Sequence, residues 1–177
     1  MLTLRPITTA DTRLYNYMEQ LLQTSFPPEE YRPLEELRRL TDEHPAFCNQ
    51  LLMEGETPVG LLTYWDFSHF CYVEHFAIDP QLRGGGRGAE ALTLLADRLS
   101  RPLVLEVEMP DTEQAIRRIA FYRRQGFQLW ETPYFQPPYR SDDTPLPMQL
   151  MVRGALTEAS HFAEVCRTIH RQVYSYP

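Results

Sequence analysis

The spacing of hydrophobic residues changes several times along the chain, and each spacing predicts a type of element. Short alternating or continuous apolar runs predict strands, whereas apolar residues three or four positions apart predict helices. The predicted strands are Leu2–Arg5, Phe47–Met53, Pro58–Trp65, Phe70–Ile78, Leu103–Glu108, Phe127–Trp130 and Met148–Val152. Five helices are also predicted. The first begins at a cap at Thr9 or Asp11 and ends at Gln23, the second covers Pro33–Thr41, and the third covers Gly86–Leu99. The fourth begins at a capping box at Asp111 and ends before Gly126, and the fifth covers Thr157–Tyr174.

The order of these elements predicts a mixed, mostly antiparallel sheet. Three strands from Phe47 to Ile78 are separated by short connections, which is typical of an antiparallel meander. The helix after Gly86 then returns the chain to Leu103–Glu108 by a crossover, so this strand is expected to be parallel to its neighbour. The last two strands are expected to form a hairpin around a long loop, 131–147. We therefore predict one α/β (α+β) domain, 1–177, with about six to seven strands flanked by helices.

Composition excludes several classes of protein. The formal net charge of −7 argues against a nucleic-acid partner, which requires a clustered basic face, and mildly favours a cationic or amine substrate. No apolar run approaches the length of a membrane span, and the N-terminus lacks the apolar core of a secretion signal, so we predict a cytoplasmic protein without a membrane partner. Cys48, Cys71 and Cys166 are widely spaced and are expected to be reduced thiols rather than metal ligands.

A turn crowded with glycine follows the strand that ends at Ile78. Half of the eight glycines of the chain lie in it, and a helix begins directly after it. Glycine lets main-chain N–H groups approach an anion, and the start of the helix adds a positive dipole end. The turn therefore predicts a phosphate site, although an ordinary strand-to-helix turn is the alternative. The residues of this predicted site are Arg83, Gly84, Gly85, Gly86, Arg87, Gly88 and Ala89.

Two motifs of the chain resemble those of one known family. The turn has the pattern R-x-x-G-x-G from Arg83 to Gly88, and Tyr122 is followed by Gly126-Phe127 further along the chain. Their order and separation resemble the GNAT superfamily, the acetyl-CoA-dependent N-acetyltransferases. The chain departs from the family pattern at Ala115, where an asparagine is frequent, and at Arg118, where a small residue is frequent.

The resemblance implies a GNAT-like acyl-CoA N-acyltransferase fold and a set of functional residues. It implies acetyl-CoA as co-substrate, no metal, and direct transfer of the acetyl group to a primary amine of a small molecule or peptide. Tyr122 is then the general acid that protonates the thiolate of coenzyme A. The main chain at Phe76 and Ile78 is expected to bind the pantetheine arm, and the strand at Leu103 is expected to splay away to admit it.

A base is useful in such a reaction because an alkylamine is mostly protonated at neutral pH. Strict alternation would place Tyr72, Glu74, Phe76 and Ile78 on one face of their strand. A glutamate among apolar neighbours is expected to have a raised pKa, so Glu74 is the candidate base and His75 the second choice. An ion pair between Glu74 and an arginine is the structural alternative.

Other interpretations of the sequence stay open. Glu106 and Glu108 are candidates to hold a cationic acceptor, and the alternative is that they are charged rim residues. The aromatic, proline-rich segments Phe26–Tyr31 and Tyr134–Arg140 suit a substrate pocket, an ordered surface loop or a homodimer contact. A non-catalytic acyl-CoA-binding domain would keep the same turn. A Rossmann-type dinucleotide module also matches Gly84-x-Gly86-x-x-Ala89, but it requires repeated strand-helix-strand units that this chain lacks.

Overall fold

The computed structural model describes residues 1–177, and their strands form one open sheet. The eight strands are β1 (Leu2–Pro6), β2 (Phe47–Glu54), β3 (Thr57–Asp66), β4 (Cys71–Ile78), β5 (Leu103–Glu108), β6 (Gln128–Leu129), β7 (Tyr134–Gln136) and β8 (Leu146–Arg153). The five α-helices are α1 (Thr12–Ser25), α2 (Leu34–Glu43), α3 (Arg87–Leu99), α4 (Glu113–Arg124) and α5 (Glu158–Thr168).

The sheet has the predicted mixed topology. Strands β1 to β4 form an antiparallel meander, β5 lies parallel to β4 after the α3 crossover, and β8 is antiparallel to β5, β6 and β7. The β4–β5 pairing is short, because it covers only Cys71–Val73 against Leu103–Leu105. Beyond those residues the two parallel strands separate, as the predicted splay requires.

Each face of the sheet buries its own hydrophobic cluster. On the first face, α1, α2 and α5 cover a cluster that includes Met18, Trp65 and Tyr72. On the second face, α3 and α4 cover a cluster that includes Leu92 and Ile119. These residues lie on one side of each helix, since apolar residues at helical spacing must face the sheet to leave water. The splay between β4 and β5 thus opens between two well-packed layers.

Three predicted elements differ from the structure. The predicted loop 131–147 contains β7, a three-residue strand that pairs with β8, so the sheet has one strand more than expected. Thr112 rather than Asp111 caps α4, since its side chain accepts a hydrogen bond from the Ala115 amide. The last helix ends at Thr168 and continues as a single π-helical turn to Val173. Strand β7 was missed because three residues are too few for a periodic pattern to be recognised.

A β-bulge at Glu74 overturns the predicted alternation along β4. Thr63 pairs with His75 and Tyr64 pairs with Val73, so Glu74 is an extra residue without a partner on β3. Such an insertion reverses the side-chain direction after it. Tyr72 and Ala77 consequently both belong to the first-face cluster, whereas Val73 and Phe76 both pack on the second face. Glu74 points to the same face as Tyr72, but the expectation that Phe76 and Ile78 share that face is therefore wrong.

Candidate active site

A cleft of about 590 Å³ opens where β4 and β5 separate. This volume is within the usual range for small-molecule sites. The glycine turn lies at one end of the cleft, and the carboxylate-bearing residues of β4 and β5 lie further in. The lining residues are Ser25, Phe26, Val73, Glu74, Phe76, Ala77, Ile78, Leu82, Arg83, Gly84, Gly86, Arg87, Gly88, Ala89, Leu105, Glu106, Gln114, Arg117, Arg118, Phe121 and Tyr122.

The glycine turn has the backbone conformation that an anion site needs. Gly84 and Gly86 have φ values of +90° and +76°, which L-residues rarely adopt. Gly86 is the N-cap of α3, and no side chain caps this helix, so its first-turn N–H groups have no side-chain acceptor. A Cβ atom at Gly88 would lie 3.2 Å from the Phe121 ring, so the cleft is narrow here. These features fit the diphosphate of a coenzyme A carrier.

The side chains of the two arginines in this turn have different surroundings. Arg87 makes a two-point ion pair with Glu54 at 2.8 and 3.1 Å, and it donates to the Leu82 carbonyl at 2.9 Å. Its guanidinium therefore ties the turn to the β2–β3 hairpin, which leaves its main chain facing the cleft. Arg83 makes one long hydrogen bond, 3.4 Å, to the Ile78 carbonyl. Arg83 is consequently the more available of the two cations.

The expected pantetheine-binding positions, Phe76 and Ile78, both line the cleft. Strand β4 has no β5 partner after Val73, so its main chain is open to the cleft along this stretch. An extended ligand arm can take the hydrogen bonds that a neighbouring strand would otherwise make.

Tyr122 lies near the C-terminal end of α4 and lines the cleft from the second face of the sheet. Its ring packs edge-on against Phe121 and Phe127, at centroid distances of 5.3 and 5.5 Å. Burial raises the pKa of Tyr122 to about 12, while nearby Arg118 partly opposes the rise. The phenol is therefore protonated at neutral pH. Gly126, with φ +86°, ends the helix and lets Phe127 pack on this ring.

Glu74 is paired with an arginine, and the predicted rise of its pKa is wrong. Its side chain is 1% exposed, and its carboxylate accepts from Arg32, from Trp65 Nε1 at 2.9 Å and from Tyr139 Oη at 2.8 Å. Burial by itself would raise the pKa of Glu74, but the charge of Arg32 and these donors hold it below its usual value. The bulge aims this carboxylate into the first-face packing, and sequence periodicity carried no sign of the bulge.

Glu106 is the carboxylate that lacks a charged partner. It accepts from Tyr134 Oη at 2.5 Å, from Gln136 Nε2 at 2.7 Å, and from Tyr174 Oη at 2.9 and 3.1 Å. Burial raises the pKa of Glu106 to about 7, and the hydrogen bonds only partly oppose this. Its position in the apolar strand LVLEVE is the sequence signal for such a site. Tyr174, in the segment after α5 to which the sequence assigned no chemistry, is a partner that the sequence missed.

His75 and Glu108 lie outside the cleft lining. The His75 ring is buried, donates from Nε2 to the Glu30 carbonyl at 2.7 Å and packs against Phe26, and burial lowers its pKa. This is the arrangement of a structural histidine. Glu108 is half-exposed and accepts a hydrogen bond from Arg118 at 3.3 Å, which is the arrangement of a charged rim residue.

Comparison with known proteins agrees with this geometry. The family model described as the acetyltransferase (GNAT) family matches residues 13–127. A solved structure of a protein from Bacteroides thetaiotaomicron assigned to the GNAT family is 50% identical, covers 99% of each chain and has a TM-score of 0.96. No curated protein sequence matches the chain.

More distant structures share the fold alone. The ribosomal-protein-S18-alanine N-acetyltransferase of Escherichia coli is 19% identical, with a TM-score of 0.57 over 89% of this chain and 97% of its own. A GNAT-family acetyltransferase from Elizabethkingia anophelis with acetyl-CoA bound is 14% identical, with a TM-score of 0.57 over 87% and 98%. None of the helices combines the length and apolar character needed to cross a bilayer, and no cluster of three or more His, Cys, Asp or Glu residues is arranged to hold a metal ion.

The fold, the cleft and these matches define an acyltransferase. The chain belongs to the GNAT family of acetyltransferases, as its two sequence motifs predicted.

Proposed function

We propose that this protein transfers an acetyl group from acetyl-CoA directly to a primary amine, within a complex that holds both substrates. The observation that carries the proposal is the single cleft between β4 and β5. It joins a phosphate-type glycine turn at one end to a protonated tyrosine and a carboxylate without a charged partner at the other. A donor with a diphosphate and an acyl thioester spans these features in that order.

The proposed cofactor site uses the main chain from Arg83 to Ala89 for the diphosphate. Open first-turn amides of α3 and the helix dipole favour an anion there, and Arg83 adds a positive charge. The main chain at Phe76 and Ile78 would hold the pantetheine arm along the open side of β4. Acetyl-CoA supplies the activated acyl group, while this chain supplies binding, orientation and proton transfer.

Tyr122 is the proposed general acid. Its phenol is protonated at neutral pH and faces the cleft from the second face, opposite the glutamates of the first face. A proton donor on that side can neutralise a departing thiolate while the amine approaches from the other side. Glu74, predicted as the base, has its carboxylate buried with Arg32, so we assign it to positioning Arg32 and Tyr139 beside the acceptor.

The formal net charge of −7 follows directly from the sequence. The cytoplasmic location and the homodimer remain predictions. A cationic amine suits this charge better than a nucleic acid does. Peptide and small-molecule amines are both acceptors that the proposed chemistry allows.

Calorimetry and a release assay test the proposal together. Acetyl-CoA is expected to bind and NAD is not, and free coenzyme A should form when a panel of small amines and peptides is supplied. Binding of acetyl-CoA without release against any amine would instead support a non-catalytic acyl-CoA-binding domain. Binding of NAD in place of acetyl-CoA would support the dinucleotide alternative.

A further inference from the structure

Glu106 and Glu74 stand on adjacent strands at the inner end of the cleft, but their surroundings differ in charge. Glu74 is satisfied by a buried guanidinium, whereas the three side chains that donate to Glu106 are all neutral. Both residues line the cleft, and the Glu74 side chain is only 1% exposed. Two carboxyl groups whose environments separate them in this way are suited to different roles.

The first face above these carboxylates is closed by a cover that we call the roof, Pro28–Arg32 and Pro137–Arg140. Arg140 joins its two segments, because its guanidinium donates to the Pro28 carbonyl at 2.5 Å and to the Tyr31 carbonyl at 2.8 Å. The same guanidinium lies 5.7 Å from the centroid of the Tyr31 ring. Tyr139 then reaches down to Glu74. The two segments are therefore fastened to each other rather than separated by a groove.

The end of the chain closes a further side. Tyr174 donates to Glu106, and Gln136 donates to both Glu106 and the Tyr174 hydroxyl. Arg32 reaches the Val173 carbonyl at 3.5 Å, so the roof also contacts the chain end. Ser25 and Phe26 also line the cleft, and the buried Ser25 Oγ has no hydrogen-bond partner.

We propose that the acceptor is a small primary amine, received beside Glu106 beneath the roof, and that Glu106 takes the proton of its ammonium group. This inference rests on the proposed acetyl transfer and deepens it. A small amine fits because it can reach Glu106 through the cleft that this residue lines, without a groove between the two roof segments. An extended peptide would need the passage that the Arg140 contacts close.

Every proton and bonding electron pair in this step is accounted for by the two substrates, Glu106 and Tyr122. Glu106 accepts one proton from the ammonium group, and the free amine attacks the thioester carbonyl carbon. A C–N bond forms, and the C–S bond breaks with its electron pair left on sulfur. Tyr122 protonates the sulfur and regains a proton originating from the second N–H of the amine. The proton on Glu106 passes to solvent, so each turnover releases one proton.

The titration behaviour of Glu106 agrees with this geometry. Burial raises its pKa to about 7, near the pH at which a base is most effective. The groups that face it are Tyr72 from β4, Tyr134 and Gln136 from β7, and Tyr174, with Tyr139 and Cys166 further away. Burial raises the pKa of each of these phenols well above its usual value, so the tyrosines remain neutral donors.

The substrate class is tested by two acceptors with the same reacting amine. Glycinamide and a tetrapeptide with N-terminal glycine are compared by kcat/KM, and glycinamide is expected to exceed the tetrapeptide by at least about tenfold. Arg140→Ala should open the roof and raise kcat/KM for the tetrapeptide, which lowers the ratio of the glycinamide kcat/KM to the tetrapeptide kcat/KM. Arg39→Ala removes an exposed arginine of α2 that makes no ion pair, and it should leave the ratio unchanged. A tetrapeptide equal to or better than glycinamide in the unmodified protein would overturn the inference.

Glu106 is tested with Glu106→Gln, which preserves the shape of the side chain. With an alkylamine acceptor, whose own pKa of about 10.4 lies well above this range, the unmodified protein should show kcat/KM rising with pH to a plateau, with an inflection near 7 as Glu106 becomes ionised. Glu106→Gln should lower kcat by about 10²-fold and remove the inflection. Glu108→Gln, on the same strand, should keep both the kcat and the pH inflection of the unmodified protein. Retention of the inflection in Glu106→Gln overturns the assignment of the base, whether or not the variant is less stable.

These outcomes are distinct from failure of the proposed function. Peptide acetylation without small-amine acetylation would reject the substrate class while leaving acetyl transfer in place. Acetyl-CoA binding without turnover of any amine would reject the acetyl transfer and the inference with it.

Discussion

The two ends of the cleft are constructed in different ways. The phosphate end is one continuous segment, Arg83–Ala89, whose glycine conformations and open helix amides arise locally. The acceptor end brings two glutamates together with side chains from distant parts of the chain, namely Arg32, Trp65, Tyr134, Gln136, Tyr139 and Tyr174. A local backbone feature suffices to bind a phosphate, whereas a buried carboxylate requires partners that only tertiary folding can supply.

This comparison predicts that the acceptor end contributes more to stability. Glu74→Gln leaves Arg32 buried without its counter-charge, which should lower the free energy of unfolding by about 3–5 kcal/mol. Glu36→Gln removes the more exposed partner of Arg32, 3.3 Å away and 40% exposed, and should cost less than about 1 kcal/mol. Chemical denaturation of both variants measures the difference. Equal losses would show that Arg32 does not depend on Glu74.

The pH dependence of the same pair has a definite sign. The folded-state pKa of Glu74 is lowered, so the pair contributes stability above the usual carboxyl range and loses it as pH falls through the lowered pKa. Glu74→Gln should therefore be less sensitive to acid below pH 4.5 than the unmodified protein.

Tyr122 lies between the two ends and should affect rate rather than folding. Tyr122→Phe removes the proton donor and is expected to lower kcat at least tenfold, while acetyl-CoA affinity stays nearly the same. Tyr64→Phe is a matched control, since Tyr64 is buried in the same second-face cluster but does not line the cleft. Steady-state kinetics and calorimetry give the two quantities. Unchanged turnover would remove Tyr122 from the mechanism.

At the phosphate end, a change of backbone conformation alone should weaken acetyl-CoA binding. Gly86→Ala places a Cβ on a residue with φ +76°, which costs about 1–2 kcal/mol and should weaken acetyl-CoA binding by about 5- to 30-fold. Gly55→Ala introduces a similar strain at φ +60° in the β2–β3 turn, outside the cleft lining. Gly55→Ala should lose stability but keep its acetyl-CoA affinity. Equal affinity losses would mean that strain acts through general destabilisation.

The smallest effect is expected for the ion pair that holds the turn. Glu54→Gln weakens the contact with Arg87, but both side chains are partly exposed, so the loss should stay within about 1 kcal/mol of unfolding free energy. Glu56→Gln, on the same hairpin turn and 93% exposed, should have a smaller effect still. A loss above about 2 kcal/mol for Glu54→Gln would show that this end also depends on long-range contacts.

Most of the fold was predictable because its signals are local. The meander and the crossover follow from periodicity, and the sheet topology confirms them. The resemblance to the GNAT family rests on short residue patterns at Arg83 and Tyr122, and the family match confirms the family. Strand β7 was not predicted, since three residues carry too little pattern. The capping residue of α4 was misplaced by one position, from Asp111 to Thr112, because both side chains are good caps.

Some residues of the candidate site were likewise predictable from local sequence, and others were not. By itself, the sequence determined the glycine turn and the place of Tyr122, since each depends on neighbours a few residues away. Only the tertiary structure decided the environments of Glu74 and Glu106. One bulge reverses the side-chain direction after Glu74, and whether a buried carboxylate meets a guanidinium or a phenol depends on residues that lie tens of positions away in the chain.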